Sequence, residues 1–144
     1  VWLNQVHGVA VARLTADAIG TMPTADASVC AEPGIACTVQ VADCLPVLFA
    51  APGGRAVGGA HAGWRGLAGG VLEATLSELC ALAACEPPDV QARLGPCIGP
   101  RQFEVGSDVL EAFGAEPTRA DQRFFTARAP GKWLADWQGW PGNG

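Results

Sequence analysis

Residues 56–84 read AVGGAHAGWRGLAGGVLEATLSELCALAA: a short run of small apolar residues, a glycine-rich turn, and a long amphipathic stretch. The opening run, Ala56–Ala62, has the length and composition of a buried strand. From Leu67 to Ala84 the pattern turns helical. Leu72, Leu76, Leu79 and Ala83 recur at helical spacing, while Glu73, Ser77 and Glu78 occupy other faces. Pro87 and Pro88 stop the helix.

On either side of this unit, apolar runs of strand length alternate with turns. Val9–Leu14, Ala27–Ala31, Ala36–Val41 and Pro46–Ala51 precede it, each bounded by Gly, Pro or Asp. In Ala36–Val41, Cys37, Val39 and Val41 alternate with Thr38 and Gln40, which predicts a half-buried strand. Beyond the helix, Val90–Leu94 reads as a strand and Ser107–Phe113 as a short helix capped by Ser107. Arg123–Ala127 completes the set as a strand. The expected class is α/β, with mixed sheets flanked by helices and strands concentrated in the N-terminal half.

Length and composition exclude several roles. The 144 residues suffice for one domain and one sizeable core. With 49% hydrophobic and 16% charged residues, the chain is too apolar for a disordered segment. Its formal charge of −5 argues against binding a nucleic-acid backbone, which requires a basic face. No apolar run reaches the roughly 18 residues of a membrane span. Six cysteines without a CxxC pair read as reduced thiols, so a cytoplasmic monomer is the expectation. The apolar start at Val1 and the turn-rich tail Trp137–Gly144 suggest an internal piece of a larger protein, with the domain proper at 1–136 and 137–144 as a tail.

Chemistry points to three residues. The chain has two histidines, His7 in QVHG and His61 in GGAHAGWRG, both beside small residues that let a ligand or another backbone approach. Cys44, in VADCLP, sits at a break between two apolar runs and next to Asp43. Cys44 with a histidine can form a nucleophile and its base. Alternatively, His7, Cys44 and His61 can hold zinc at three corners and leave the fourth for water. The long sequence separations leave both readings open. Copper is also compatible with this donor set, with Met22 as a conceivable axial ligand. Arg65, with the backbone of Gly63 and Gly66, is a candidate anion site, though an ordinary salt bridge explains Arg65 equally well. Asp43 can orient a ligand or accept a proton, and Leu94–Pro100 forms a rigid double turn that lines a pocket or reverses the chain.

At Gln5–Gly8, Thr24–Ala27, Ala42–Pro46, Ala60–Gly66 and Gly95–Gly106 the sequence resembles the laccase-domain, or polyphenol-oxidase-like, proteins. That family is also described as purine nucleoside phosphorylases. The resemblance implies one domain of sheet layers and helices, with the equivalents of His7, Cys44 and His61 binding a catalytic metal, usually assigned as zinc. It further implies nucleoside and phosphate as partners, with adenosine deamination and methylthioadenosine cleavage beside purine nucleoside phosphorolysis. Links of the family to peptidoglycan editing and to cysteine hydrolases keep a metal-free Cys44–His61 pair as the alternative. A copper laccase is disfavoured, because its four coppers need far more imidazoles than two. Family members extend past both ends of this chain, and many carry a further cysteine near the position of Gln102. An incomplete pocket would leave a metal-binding domain that catalyses poorly.

Overall fold

In the computed structural model, which describes residues 1–115, 121–122 and 124–136, the first sheet has five strands. They are β1 (Val11–Leu14), β2 (Ala27–Cys30), β3 (Leu45–Ala50), β4 (Val57–Ala62) and β5 (Gln91–Leu94). Their spatial order is β1-β2-β4-β3-β5. β1 and β2 run parallel, and the other pairs are antiparallel, so the sheet is mixed as the sequence predicts.

The central strand β4 is buried from Gly58 to Ala62. Its small residues are required by packing. A methyl on Gly58 would stand 3.2 Å from the Ser28 carbonyl oxygen and 3.2 Å from Val29 Cγ1. Two helices follow: α1 (Trp64–Gly69) and α2 (Val71–Ala83). The single helix expected over Leu67–Ala84 therefore starts earlier and is broken. Gly70 adopts a left-handed conformation (φ 96°), and its N–H bonds back to the Gly66 and Leu67 carbonyls, closing α1 before α2 begins. The break also rotates the buried face. Val71, Thr75, Leu79 and Ala83 are buried, whereas Leu72 and Leu76 are only half-buried. Thr75 tolerates burial because its hydroxyl donates to the Val71 carbonyl at 2.6 Å.

Ala36–Val41 is not a strand. Its backbone finds partners in the N-terminal segment instead. The terminal amine donates to the Ala36 carbonyl, and the Thr38 hydroxyl donates to the Val1 carbonyl. The Gln5 amide clasps both backbone groups of Gln40, each at 2.8 Å. These bonds take the backbone groups at Ala36 and Gln40 out of reach of a ladder, and so the alternating pattern misleads.

A second, antiparallel sheet has the order β6-β9-β8-β7. Its strands are β6 (Glu104–Val105), β7 (Asp121–Gln122), β8 (Phe125–Ala129) and β9 (Lys132–Ala135). The strand expected at Arg123–Ala127 is thus shifted toward the C-terminus, and Arg123 lies outside the described residues. Between β6 and β7 runs α3 (Ser107–Ala112). Gly106 is its N-cap and Ser107 its first helical residue, so the expected Ser107 side-chain cap is not made. Val105, Val109, Leu110, Phe125 and Trp133 join the same core as α2 and the first sheet. The expected tail, 137–144, lies outside the described residues.

Candidate metal centre

The first sheet delivers two of the three candidate residues to one end. Cys44 immediately precedes β3, and His61 lies in β4, which pairs antiparallel with β3 so that Pro46 faces His61 and Leu45 faces Ala62. His7 comes from the N-terminal segment, which is pinned beside β2 by the Asn4–Thr24 bridge. One donor atom from each of His7, Cys44 and His61 lies within 4.8 Å of the others. Cys44 Sγ is 4.0 Å from His7 Nε2, and the two imidazoles meet edge to face at 4.9 Å between centroids. The expected separation is about 4 Å, set by zinc–ligand bonds of roughly 2.0–2.3 Å, so a bound metal would draw the three slightly together. His61 is buried, Cys44 half-buried and His7 exposed, which opens the cluster on one side.

Asp26, fully buried immediately before β2, contacts both histidine-bearing segments. Its Oδ1 accepts the backbone N–H groups of Val6 (3.0 Å) and Gly8 (2.9 Å), and its Oδ2 accepts that of His7 (2.9 Å). Oδ2 also lies 2.8 Å from His61 Nδ1. An ionised carboxylate only accepts, so Nδ1 carries the proton, and in the neutral ring Nε2 keeps its lone pair. Burial alone would raise the Asp26 carboxyl, but the hydrogen bonds from Gly8, His61, Val6 and His7 outweigh it and hold it below the usual range. Sequence reasoning did not single out Asp26 as a site residue. The available signal was its place in Thr24–Ala27, one of the blocks that carry the family resemblance.

His7 itself has a left-handed backbone (φ 59°), an uncommon state for a residue with a side chain. Gly63 is the N-cap of α1 and sits directly behind the cluster. A methyl there would be 2.8 Å from His7 Cδ2 and 3.3 Å from Cys44 Sγ. A methyl on Gly66 would be 3.0 Å from the Gly8 carbonyl oxygen. Both glycines therefore allow α1 to press against the His7 loop. Arg65 is exposed, and its guanidinium lies over the Trp64 ring at 4.5 Å.

Burial, followed by the charges of Asp43 and Asp26, pushes the Cys44 thiol up. The Cys97 thiol is raised by burial and then by Asp136 and Cys44, placing the 95–100 turn in the same electrostatic neighbourhood. The Ile98 N–H donates to the Asp43 carbonyl at 3.0 Å, tying that turn to the cluster. All six cysteines are free thiols. The cluster opens into a cavity of about 750 Å³ walled by Trp2, Met22 and Val41, with Asn4, Gln40 and Asp43 as polar lining. This volume suits a small organic ligand.

The family described as multi-copper polyphenol oxidoreductase laccase matches residues 1–140. The chain belongs to this family. A purine nucleoside phosphorylase of Pseudomonas aeruginosa is 49% identical over 135 residues, covering 94% of this chain and 53% of its own length. The purine nucleoside phosphorylase YfiH of Escherichia coli is likewise 49% identical over 136 residues, with 94% and 53% covered. The crystal structure of a Neisseria meningitidis protein, NMB0706, superposes with a TM-score of 0.80 at 46% identity, over 95% of this chain and 54% of that one. YlmD from Geobacillus stearothermophilus gives a TM-score of 0.85 at 29% identity, over 96% and 54%. The chain thus spans about half the length of these relatives. Among the described residues, no helix is long and apolar enough to cross a membrane.

Proposed function

We propose that this domain carries the zinc centre of a purine nucleoside phosphorylase that also deaminates adenosine and cleaves methylthioadenosine. The observation that supports it best is the His7–Cys44–His61 cluster at the open end of the cavity, in a chain 49% identical to two proteins named purine nucleoside phosphorylase. The donor set fits the metal: two imidazoles and one thiol leave a fourth tetrahedral position free, and Asp26 already directs His61 Nε2 outward. Zinc bound there would supply Lewis acidity and water acidic enough to react near neutral pH.

The other residues bind and orient. Trp2, Met22 and Val41 offer apolar walls for a flat base, while Asn4 and Gln40 offer amides to its polar edge. Gln5 is already committed to Gln40 and serves the wall rather than the ligand. Asp43, exposed at the cavity rim, is placed to orient a ligand or take a proton. Arg65 is the proposed phosphate contact, because a guanidinium pairs with phosphate and does not ligate zinc.

Copper competes for the same donors, since it leads the affinity order for such ligands. A single three-donor cluster supports one metal rather than the four of a laccase. The metal-free alternative needs an activated thiolate, and the raised Cys44 thiol works against it. The test is elemental analysis of the purified protein together with purine-base release from inosine, adenosine and methylthioadenosine, with and without phosphate. One zinc per chain and phosphate-dependent base release are expected. Stoichiometric copper with phenol oxidation and no base release would overturn the reading.

A further inference from the structure

We propose that Asp26 is the positioning residue of the centre, a single carboxylate on which the geometry of both histidine donors depends. This rests on the metal-site reading above and extends it to a residue outside the donor set.

Two connections meet at its Oδ2. One is the His61 Nδ1–H at 2.8 Å, and the other is the His7 backbone N–H at 2.9 Å. The first fixes which imidazole nitrogen of His61 faces the cluster. Without an acceptor at Nδ1, neutral imidazole divides between tautomers, and the one with the proton on Nε2 has no lone pair to offer there. The second connection acts on the backbone. His7 is held at φ 59°, a conformation that costs about 1–3 kcal/mol outside glycine and persists only where surroundings over-determine it. Three consecutive N–H groups, those of Val6, His7 and Gly8, converge on the one carboxylate and supply that determination.

Asp26 is itself tied into the sheet. It is fully buried, its N–H donates to the Ala10 carbonyl (3.1 Å), and its carbonyl accepts the His61 N–H (2.7 Å). The carboxylate therefore transmits the register of β2 against β4 to the N-terminal loop. Its outcome is that His7 Nε2 and Cys44 Sγ stand 4.0 Å apart on the exposed side.

The test uses the 144-residue chain and its Asp26→Asn variant. In the metal-free wild type, ¹⁵N-detected histidine NMR should show His61 with a protonated Nδ1 and an unprotonated Nε2. In the variant that preference should collapse, and hydrogen exchange at Val6, His7 and Gly8 should accelerate. Zinc affinity, measured by chelator competition, should fall about 10–100-fold, the usual consequence of losing such a partner. A variant that is less stable but keeps wild-type zinc affinity and the same His61 tautomer would show a merely structural role and overturn the proposal. A wild-type His61 protonated on Nε2 overturns it even if the variant fails to fold. A wild type that takes up no zinc overturns the metal reading beneath it, separately from the variant comparison.

Discussion

Gly63 and His7 are in such close contact that a single methyl group at Gly63 would stand 2.8 Å from the imidazole. Gly63 has an ordinary extended conformation (φ −75°, ψ 175°), so alanine is tolerated by the backbone there and only space is at issue. Gly63→Ala should push the His7 ring aside and crowd Cys44 Sγ, destabilising the fold by about 1–3 kcal/mol, as overpacking does. Metal affinity should fall with it. Urea denaturation and chelator competition on the variant check both. Wild-type values for the two would show that the contact relaxes without consequence.

His7→Gly separates strain from ligation. Glycine adopts φ near +60° freely, so the variant sheds the left-handed cost while gaining entropy in the unfolded chain. The metal-free variant should match the wild type in stability to within about 1 kcal/mol, or exceed it. Its metal binding should be largely lost. A metal-free variant destabilised well beyond that range would mean that the imidazole packing against His61 holds the loop, rather than Asp26.

The three residues of the candidate cluster were legible because each breaks its local pattern: His7 and His61 among small residues, Cys44 between two apolar runs. The strands β2, β3 and β4 were legible from apolar runs with Gly, Pro or Asp at their ends. Other features lay in long-range bonds that spacing does not encode. Ala36–Val41 alternates like a strand, yet Gln5 and Val1, more than thirty residues away, take its backbone bonds. Asp26 meets donors 18 to 20 residues before it and an imidazole 35 residues after it, so no local motif announces its role. The β8–β9 hairpin carried a turn signal in Pro130-Gly131, where Gly131 takes φ 69°.

The raised thiols predict the alkylation chemistry. Cys44 is raised by burial first and then by Asp43 and Asp26, and Cys37, Cys80 and Cys97 are also raised, each by burial first. A raised thiol stays protonated further up the pH scale, and only the thiolate attacks. In metal-free protein, iodoacetamide labelling of Cys44 should be slow near pH 7 and climb about tenfold per pH unit until the thiol ionises. Metal must displace that same proton, so apparent affinity should weaken as pH falls. Residue-resolved mass spectrometry after timed labelling measures the first effect. Rapid, pH-independent labelling of Cys44 at neutral pH would revive the Cys–His nucleophile.

The proposed phosphate contact at Arg65 is tested by separating the two reactions. Arg65 is the second residue of α1, exposed, with its guanidinium over the Trp64 ring at 4.5 Å. An exposed guanidinium over an aromatic ring remains able to pair with an incoming anion. Its null effect on metal is fixed by chemistry, since a guanidinium has no lone pair to donate. Arg65→Ala should keep the metal content and the fold of the parent. Losing a charge-assisted hydrogen bond costs about 1.5–3 kcal/mol, roughly 10–150-fold in a rate or binding constant. That loss should appear in phosphate-dependent base release, with a higher KM for phosphate, while deamination, which uses water, changes little. Steady-state kinetics of inosine phosphorolysis and adenosine deamination on the same preparation supply the comparison. If the two reactions decline together and metal is lost with them, Arg65 and Trp64 are scaffold for α1, and the phosphate contact must be sought on the cavity wall, whose lining does not include Arg65.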